Sequence, residues 1–254
     1  MNESRKRDTA IKPAGDRGTP LLKGSGADLV SSLTLVLVRH GVTDMTVAQR
    51  LSGSGVPGPH LNLAGRIQAA KAADAIYRIG RSTWDTVPKV SRIIASPMNR
   101  TQDTGGALGR RMGLHVETES RLKEIDFGGW EGLTGDEIAE QHGDAIHLWR
   151  FGELDAPDGE SFPDVGRRMD ALLVDLASEH ADKCRSGDDV ARAYALTTHA
   201  VAIKSCVGVS MGVDERMWGS MWPSPASLTL LQLRVTGSGQ IAERHLMCLG
   251  APVE

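Results

Sequence analysis

Arg39 and His40 stand side by side after the apolar run LTLVLV at residues 33–38, and a second histidine, His199, follows the segment YALTT at 194–198. Arg100 lies shortly after a third run, VSRIIA at 90–95. Short apolar runs rich in β-branched residues are the pattern of strands buried on both faces. In open α/β sheets, ligands bind beyond the carboxyl ends of such strands, so two guanidiniums and two imidazoles are expected to share one crevice. Arginine offers planar donors to two oxygens of a phosphoryl group, whereas a lone carboxylate would need fewer cations. A neutral imidazole can attack phosphorus and divide hydrolysis into two transfers. His40 is the candidate nucleophile, since neighbouring arginines disfavour its imidazolium. His199 suits a charged or hydrogen-bonding stabiliser of the phosphoryl oxygens. The departing oxygen needs a proton from a carboxylic acid whose neutral form is favoured by partial burial. Glu124 leads, with Asp126 and Glu131 in reserve.

Positioning these groups requires a particular order of elements. Leu63, Ile67, Ala70, Ala73 and Tyr77 recur at helical spacing, with Gly80 where that helix would stop. Ser96-Pro97 reads as an N-cap and first helical position for a helix that carries Arg100 and ends near Gly113. Thr134, three residues before Glu137, caps a short helix over 133–141. Phe162, Val165, Met169, Leu172, Leu176 and His180 mark the face of a long one. Ala200, Ile203, Val207 and Met211 suit a helix directly after His199, and residues 227–233 and 240–246 suit two final strands. Alternating strands and helices predict an α/β fold with a mainly parallel central sheet.

Composition narrows the field further. The chain has 254 residues, 40% hydrophobic and 24% charged, with net charge −3, which fits a soluble globular protein and supplies no overall basic field for nucleic acid. No apolar run approaches the roughly 18 residues of a membrane span, and no secretory leader is evident. The expected location is cytoplasmic. Cys184, Cys206 and Cys248 are odd in number and far apart, as expected of free thiols in a reducing compartment. His142 and His147 are badly spaced for a shared metal, and the glycines around Gly53 and Gly55 lack the ending of a Walker motif. Residues 1–32 contain six basic and four acidic positions, no aromatic residue and no sustained period. They read as a flexible N-terminal tail ahead of one domain over 33–254. Trp130, Trp149 and Phe151 could face a leaving group or pack in the core. For Trp218 and Trp222, in MWGSMW, buried packing is the expectation over a partner surface.

LVLVRHGVT at 35–43, SPMNRTQDT at 96–104, LKEIDFGGWEGLTGDEI at 122–138, PDGESFPDV at 157–165 and LTTHAVAIK at 196–204 resemble, in order, the motifs of the histidine phosphatase superfamily in its phosphoglycerate-mutase-like branch. The resemblance implies a three-layer α/β sandwich and a metal-independent, cofactor-free phosphomonoesterase. His40 would carry the phosphoryl group transiently, Arg39, Arg100 and His199 would complete the pocket, and Glu124 would be the proton donor. Thr46 falls where the family commonly has an asparagine that helps hold phosphate, and Ala200 replaces the usual glycine after the second histidine. Where mutases carry an arginine and a lysine around the acid, this chain has Ile125 and Gly135, and 142–157 holds only Arg150 in place of paired arginines. The pattern is similar to α-ribazole phosphatases and broad-specificity acid phosphatases. Hydrolysis of a small phosphate monoester is therefore expected. A phosphoglycerate mutase and a non-catalytic phospho-ligand-binding module are the alternatives. The expected partner is that small molecule, with no nucleic acid and no membrane, and a homodimer is left open. Loops around 43–60, 125–160 and 200–225 are expected to recognise the leaving group.

Overall fold

The computed structural model describes residues 28–253. Six strands form one sheet: β1 (Leu33–Arg39), β2 (Val90–Ala95), β3 (Val116–Thr118), β4 (Arg192–Thr198), β5 (Leu228–Val235) and β6 (Ile241–Ala251). Their order is β3-β2-β4-β1-β5-β6. The first four in that order run parallel, while β5 and β6 are antiparallel to their neighbours. β1 and β4 sit at the centre, buried on both faces, which is why β1 reads as a nearly continuous apolar run and β4 has an apolar middle. Their register pairs Arg39 with Thr198, so Arg39-His40 and His199 leave the sheet side by side.

Successive side chains of a strand alternate between its faces, and β1 shows this directly. Leu33, Leu35 and Leu37 enter a core made with α6 (Phe162–Arg185) and α7 (Ala200–Met211), whereas Val36 and Val38 enter a second core made with α2 (Leu63–Arg78) and α3 (Asn99–Met112). Two helical layers therefore cover the sheet, in the expected three-layer arrangement. The remaining helices, α1 (Asp44–Val47), α4 (Gly135–His142) and α5 (Ala145–Arg150), lie in the connecting loops. α4 opens on the expected capping box, Thr134 accepting from the Glu137 N–H and Glu137 from that of Thr134. No helix among the described residues is long and apolar enough to cross a membrane.

Two expectations are corrected. Ser96 does not cap α3, which begins at Asn99 after Met98 and has no side-chain cap. Ser96 instead extends the β2 ladder, its N–H donating to the Thr197 carbonyl at 3.0 Å. The N-terminal segment also joins the body earlier than Leu33. Residues 1–27 lie outside the described residues, but the Val30 N–H donates to Val235 at 3.0 Å, the Ser31 N–H to Asp189 at 2.8 Å, and His180 Nε2 to the Ser31 carbonyl at 2.6 Å. Hydrogen bonds with residues far along the chain are not legible in a local stretch without periodicity.

Candidate active site

The strand ends assemble the predicted constellation. The ring centroids of His40 and His199 lie 5.2 Å apart, edge to face. Both histidines are buried, with Arg39, Arg100 and Glu124 close enough to act on one another electrostatically. Gly41 allows the turn after His40 to be tight: a Cβ there would overlap the Gly65 carbonyl at the start of α2. His40 Nδ1 donates to the Gly41 carbonyl at 2.7 Å. A carbonyl only accepts, so this bond fixes the tautomer and leaves the lone pair of the neutral ring on Nε2. Burial, then Arg100 and Arg39, hold the His40 pKa well below its ordinary value, which keeps the ring unprotonated at neutral pH.

Arg100 and Arg39 are each tied to backbone on one side. Arg100 Nη2 donates to the Ser52 and Gly53 carbonyls at 2.8 and 3.1 Å, and Gly58, at φ +72°, lets that loop approach so closely that a Cβ would strike Nη1. Arg39 Nη1 donates to the Pro223 carbonyl at 2.9 Å. Arg100 Nε and Nη1, Arg39 Nε and His199 Nδ1 are buried without a protein partner. Orphaned buried donors are rare because each loses its hydration. These four belong to the two arginines that act electrostatically on His40 and to the histidine ring set edge to face with it, a donor set suited to the oxygens of a tetrahedral anion. Burial lowers the pKa of both arginines, yet a guanidinium stays protonated in proteins.

Ser96, removed from its expected capping role, bonds His199 Nε2 at 2.9 Å. With its hydroxyl donating, the ring proton sits on Nδ1, the nitrogen without a protein partner. Burial, followed by Arg100 and His40, lowers the His199 pKa well below its usual range, so the hydrogen-bonding role expected for it fits better than the charged one.

The threonines that end β4 point to opposite sides. Thr197 Oγ1 donates to the Thr101 carbonyl at 3.1 Å and holds α3, while Thr198 Oγ1 donates to the Leu122 carbonyl at 2.7 Å and holds the loop of Glu124. That loop is gripped again by Arg168 of α6, which donates to the carbonyls of Arg121, Lys123 and Glu124 at 2.7–3.0 Å and pairs with Glu160 at 3.0 Å. The Glu124 carboxyl group accepts the N–H groups of Val201 and Ala202 at the start of α7, at 3.1 and 3.2 Å, which fixes its position beside the pocket.

The reserve carboxylates have other tasks. Asp126 accepts the Gly128 N–H at 2.9 Å, and Glu131 accepts the Gly53 N–H at 2.9 Å and so fixes the loop against Arg100. Thr46 shares the α1 capping box with Thr43, their hydroxyls 3.0 Å apart. Ala200 opens α7 without the positive φ for which glycine would be needed. Trp130 and Trp218 are buried, and Trp149 packs at a tilt between Phe127 and Phe162. Trp222 departs from expectation: it is 69% exposed, because it follows the short helix that seats Trp218 and lies beyond that core. Sequence reasoning missed Arg168 and Lys204. Only Lys204 left a signal, as the one cation in the otherwise apolar AVAIKSCV. It is buried, and its Nζ lies 5.0 Å from the centre of the Trp222 ring.

Comparisons with known proteins identify the family. The histidine phosphatase superfamily (branch 1) model matches residues 35–244. A glucosyl-3-phosphoglycerate phosphatase of Mycobacterium tuberculosis is 30% identical over 74% of this chain and 79% of its own length. A bifunctional protein of the same organism is 36% identical over 61% of this chain, which spans only 37% of that relative's length. Among solved structures, a mycobacterial glucosyl-3-phosphoglycerate phosphatase complexed with VO3 superimposes with a TM-score of 0.73 at 28% identity, covering 86% of this chain and 99% of that one. The chain belongs to the histidine phosphatase superfamily, branch 1, with relatives named as phosphatases.

Proposed function

We propose that the chain is a phosphomonoesterase that hydrolyses a small phosphorylated metabolite through a phosphohistidine on Nε2 of His40. The observation that carries this reading is the bond from His40 Nδ1 to the Gly41 carbonyl at 2.7 Å, amid four buried donors without protein partners. His40 Nε2 attacks phosphorus, and the P–O ester bond breaks as the P–N bond forms. The departing oxygen takes a proton from Glu124. Glu124 then accepts a proton from water, whose oxygen attacks phosphorus, and the P–N bond breaks to return its electron pair to Nε2. Arg39, Arg100 and His199 bind the phosphoryl oxygens throughout, and preorganised donors of this kind typically contribute a few kcal/mol each to transition-state stabilisation.

Two observations favour water over a second phosphoglycerate as acceptor. Ile125 is fully buried in the core and Gly135 opens α4, so neither position offers a cation to retain an acidic acceptor. The reaction as written uses no metal, and among the described residues no three His, Cys, Asp or Glu side chains gather to hold one. EDTA should leave the rate intact. Quenching the enzyme during turnover of a phosphate-radiolabelled ester should trap label that is stable to base, labile to acid and absent from His40→Ala. Turnover without such label would overturn the mechanism.

A further inference from the structure

Lys204 lies one turn into α7, the helix that starts immediately after His199 and whose first N–H groups hold Glu124. The lysine is only 8% exposed, and it forms no ion pair among the described residues. Its ammonium lies over Trp222 at 5.0 Å from the ring centre, and the adjoining residue, Pro223, supplies the carbonyl that fixes Arg39. The lysine and the exposed indole thus adjoin the phosphate pocket on the side of the proton-donating carboxylate, where the alcohol part of the ester must lie. A buried ammonium is costly unless an anion or a π-face offsets its lost hydration. A cation–π contact supplies part of this and leaves the remaining N–H donors free.

We propose that Lys204 and Trp222 form the leaving-group subsite and select phosphate monoesters whose alcohol carries a carboxylate, which Lys204 binds while the adjoining carbon frame rests on the Trp222 ring. The proposal rests on the phosphomonoesterase reading. Lys204 then holds the single carboxylate of the alcohol during cleavage, while Ile125 and Gly135 still offer no further cation to keep that alcohol for a return transfer. Supporting it, burial lowers the pKa of Lys204 to about 8, with Glu124 raising it and Arg39 and Arg150 lowering it further. An ammonium so poised gains most from a carboxylate neighbour.

The test compares two esters of nearly equal shape, 3-phosphoglycerate and glycerol 3-phosphate, which differ by a carboxylate in place of a hydroxymethyl group. The wild-type enzyme should favour 3-phosphoglycerate in kcat/KM by tenfold or more. Lys204→Met should reduce that preference about tenfold, by weakening binding of the carboxylated ester (a raised KM) with its kcat unchanged. Trp222→Ala, a surface change that does not threaten folding, should reduce it about threefold. A wild-type enzyme that hydrolyses both esters equally, or a Lys204→Met enzyme that loses kcat on both and keeps their ratio, would overturn the subsite while leaving the phosphatase reading intact. Absence of phosphate release from either ester, and from p-nitrophenyl phosphate, would instead overturn the phosphatase reading.

Discussion

At the carboxyl ends of the parallel strands, Arg39 and Arg100 touch backbone carbonyls and have no carboxylate partner among the described residues. Toward the amino ends of β2 and β4, Arg92 binds Glu117 at 2.6 Å and Glu179 at 2.7 Å, and Arg192 pairs with Asp188. Pairing raises the pKa of Arg92, whereas burial lowers those of Arg39 and Arg100. Both ends are rich in arginine, but only at the carboxyl end are buried arginine donors left without a partner among the described residues. An uncompensated buried charge costs stability, and proteins retain such arrangements where a ligand supplies the missing partner. The state of pairing, more than the number of cations, separates the site from the scaffold.

The severest way to break this contrast is to remove the nucleophile. His40→Ala should lower phosphate release by at least about 10⁴-fold, as loss of a nucleophile does in other covalent enzymes, with thermal unfolding nearly unchanged. Substantial turnover by this variant would remove His40 from the role of nucleophile and leave the chemistry to another group. Exchanging the roles of the arginines comes next. Arg100→Ala should lower kcat/KM about 10²–10³-fold and abolish the rise in Tm that inorganic phosphate gives the wild-type protein through ligand linkage. Arg92→Ala should leave kcat/KM within about twofold and cost on the order of 1 kcal/mol, since its partners are partly solvated. Equal losses of activity at the two ends would dissolve the distinction. Smaller still, Ser96→Ala should slow turnover about tenfold by releasing the tautomer of His199, and should add little further loss in a chain that already carries His199→Ala.

The same contrast explains what was legible in the sequence. The central strands and the Arg-His-Gly turn were readable because β1 and β4 are buried on both faces, so apolar runs and strand ends coincide. Arg100 was readable only in company, since nothing local distinguishes it from Arg92. Ser96-Pro97 misled because serine before proline is a helix-start signal, and the demand from His199, 103 residues away, outweighs it. Arg168 gave no signal at all. It lies among the residues of a long amphipathic helix, and its bonds to three loop carbonyls exist only once α6 packs. Trp222 was expected to be buried because aromatic content marks a core, but hydrophobicity alone does not indicate on which side of Trp218 the chain emerges.

Acidity offers the finest comparison between the two ends. His40 and His199 at the site, and His180 near Arg192, all have pKa values lowered first by burial. For each, the unfolded chain binds a proton near the ordinary histidine value of about 6.5 while the folded chain does not. Unfolding therefore takes up protons as the pH drops below that value. The stability these histidines contribute is complete above about pH 6.5 and is lost as the pH falls toward their folded-state values. Glu117, whose pKa is lowered first by its hydrogen bond from Arg92, keeps its contribution above the ordinary carboxylate range and loses it as the pH falls through that range toward the folded-state value. Between pH 7 and pH 5, Tm should thus fall because of the histidines, while the Arg92–Glu117 pair adds nothing to the slope. His40→Asn should make that fall shallower by a few degrees, and Glu117→Gln should lower Tm at both pH values alike. A slope unchanged by His40→Asn would mean that His40 accepts its proton in the folded state as readily as in the unfolded one, and the neutral nucleophile would lose its physical basis.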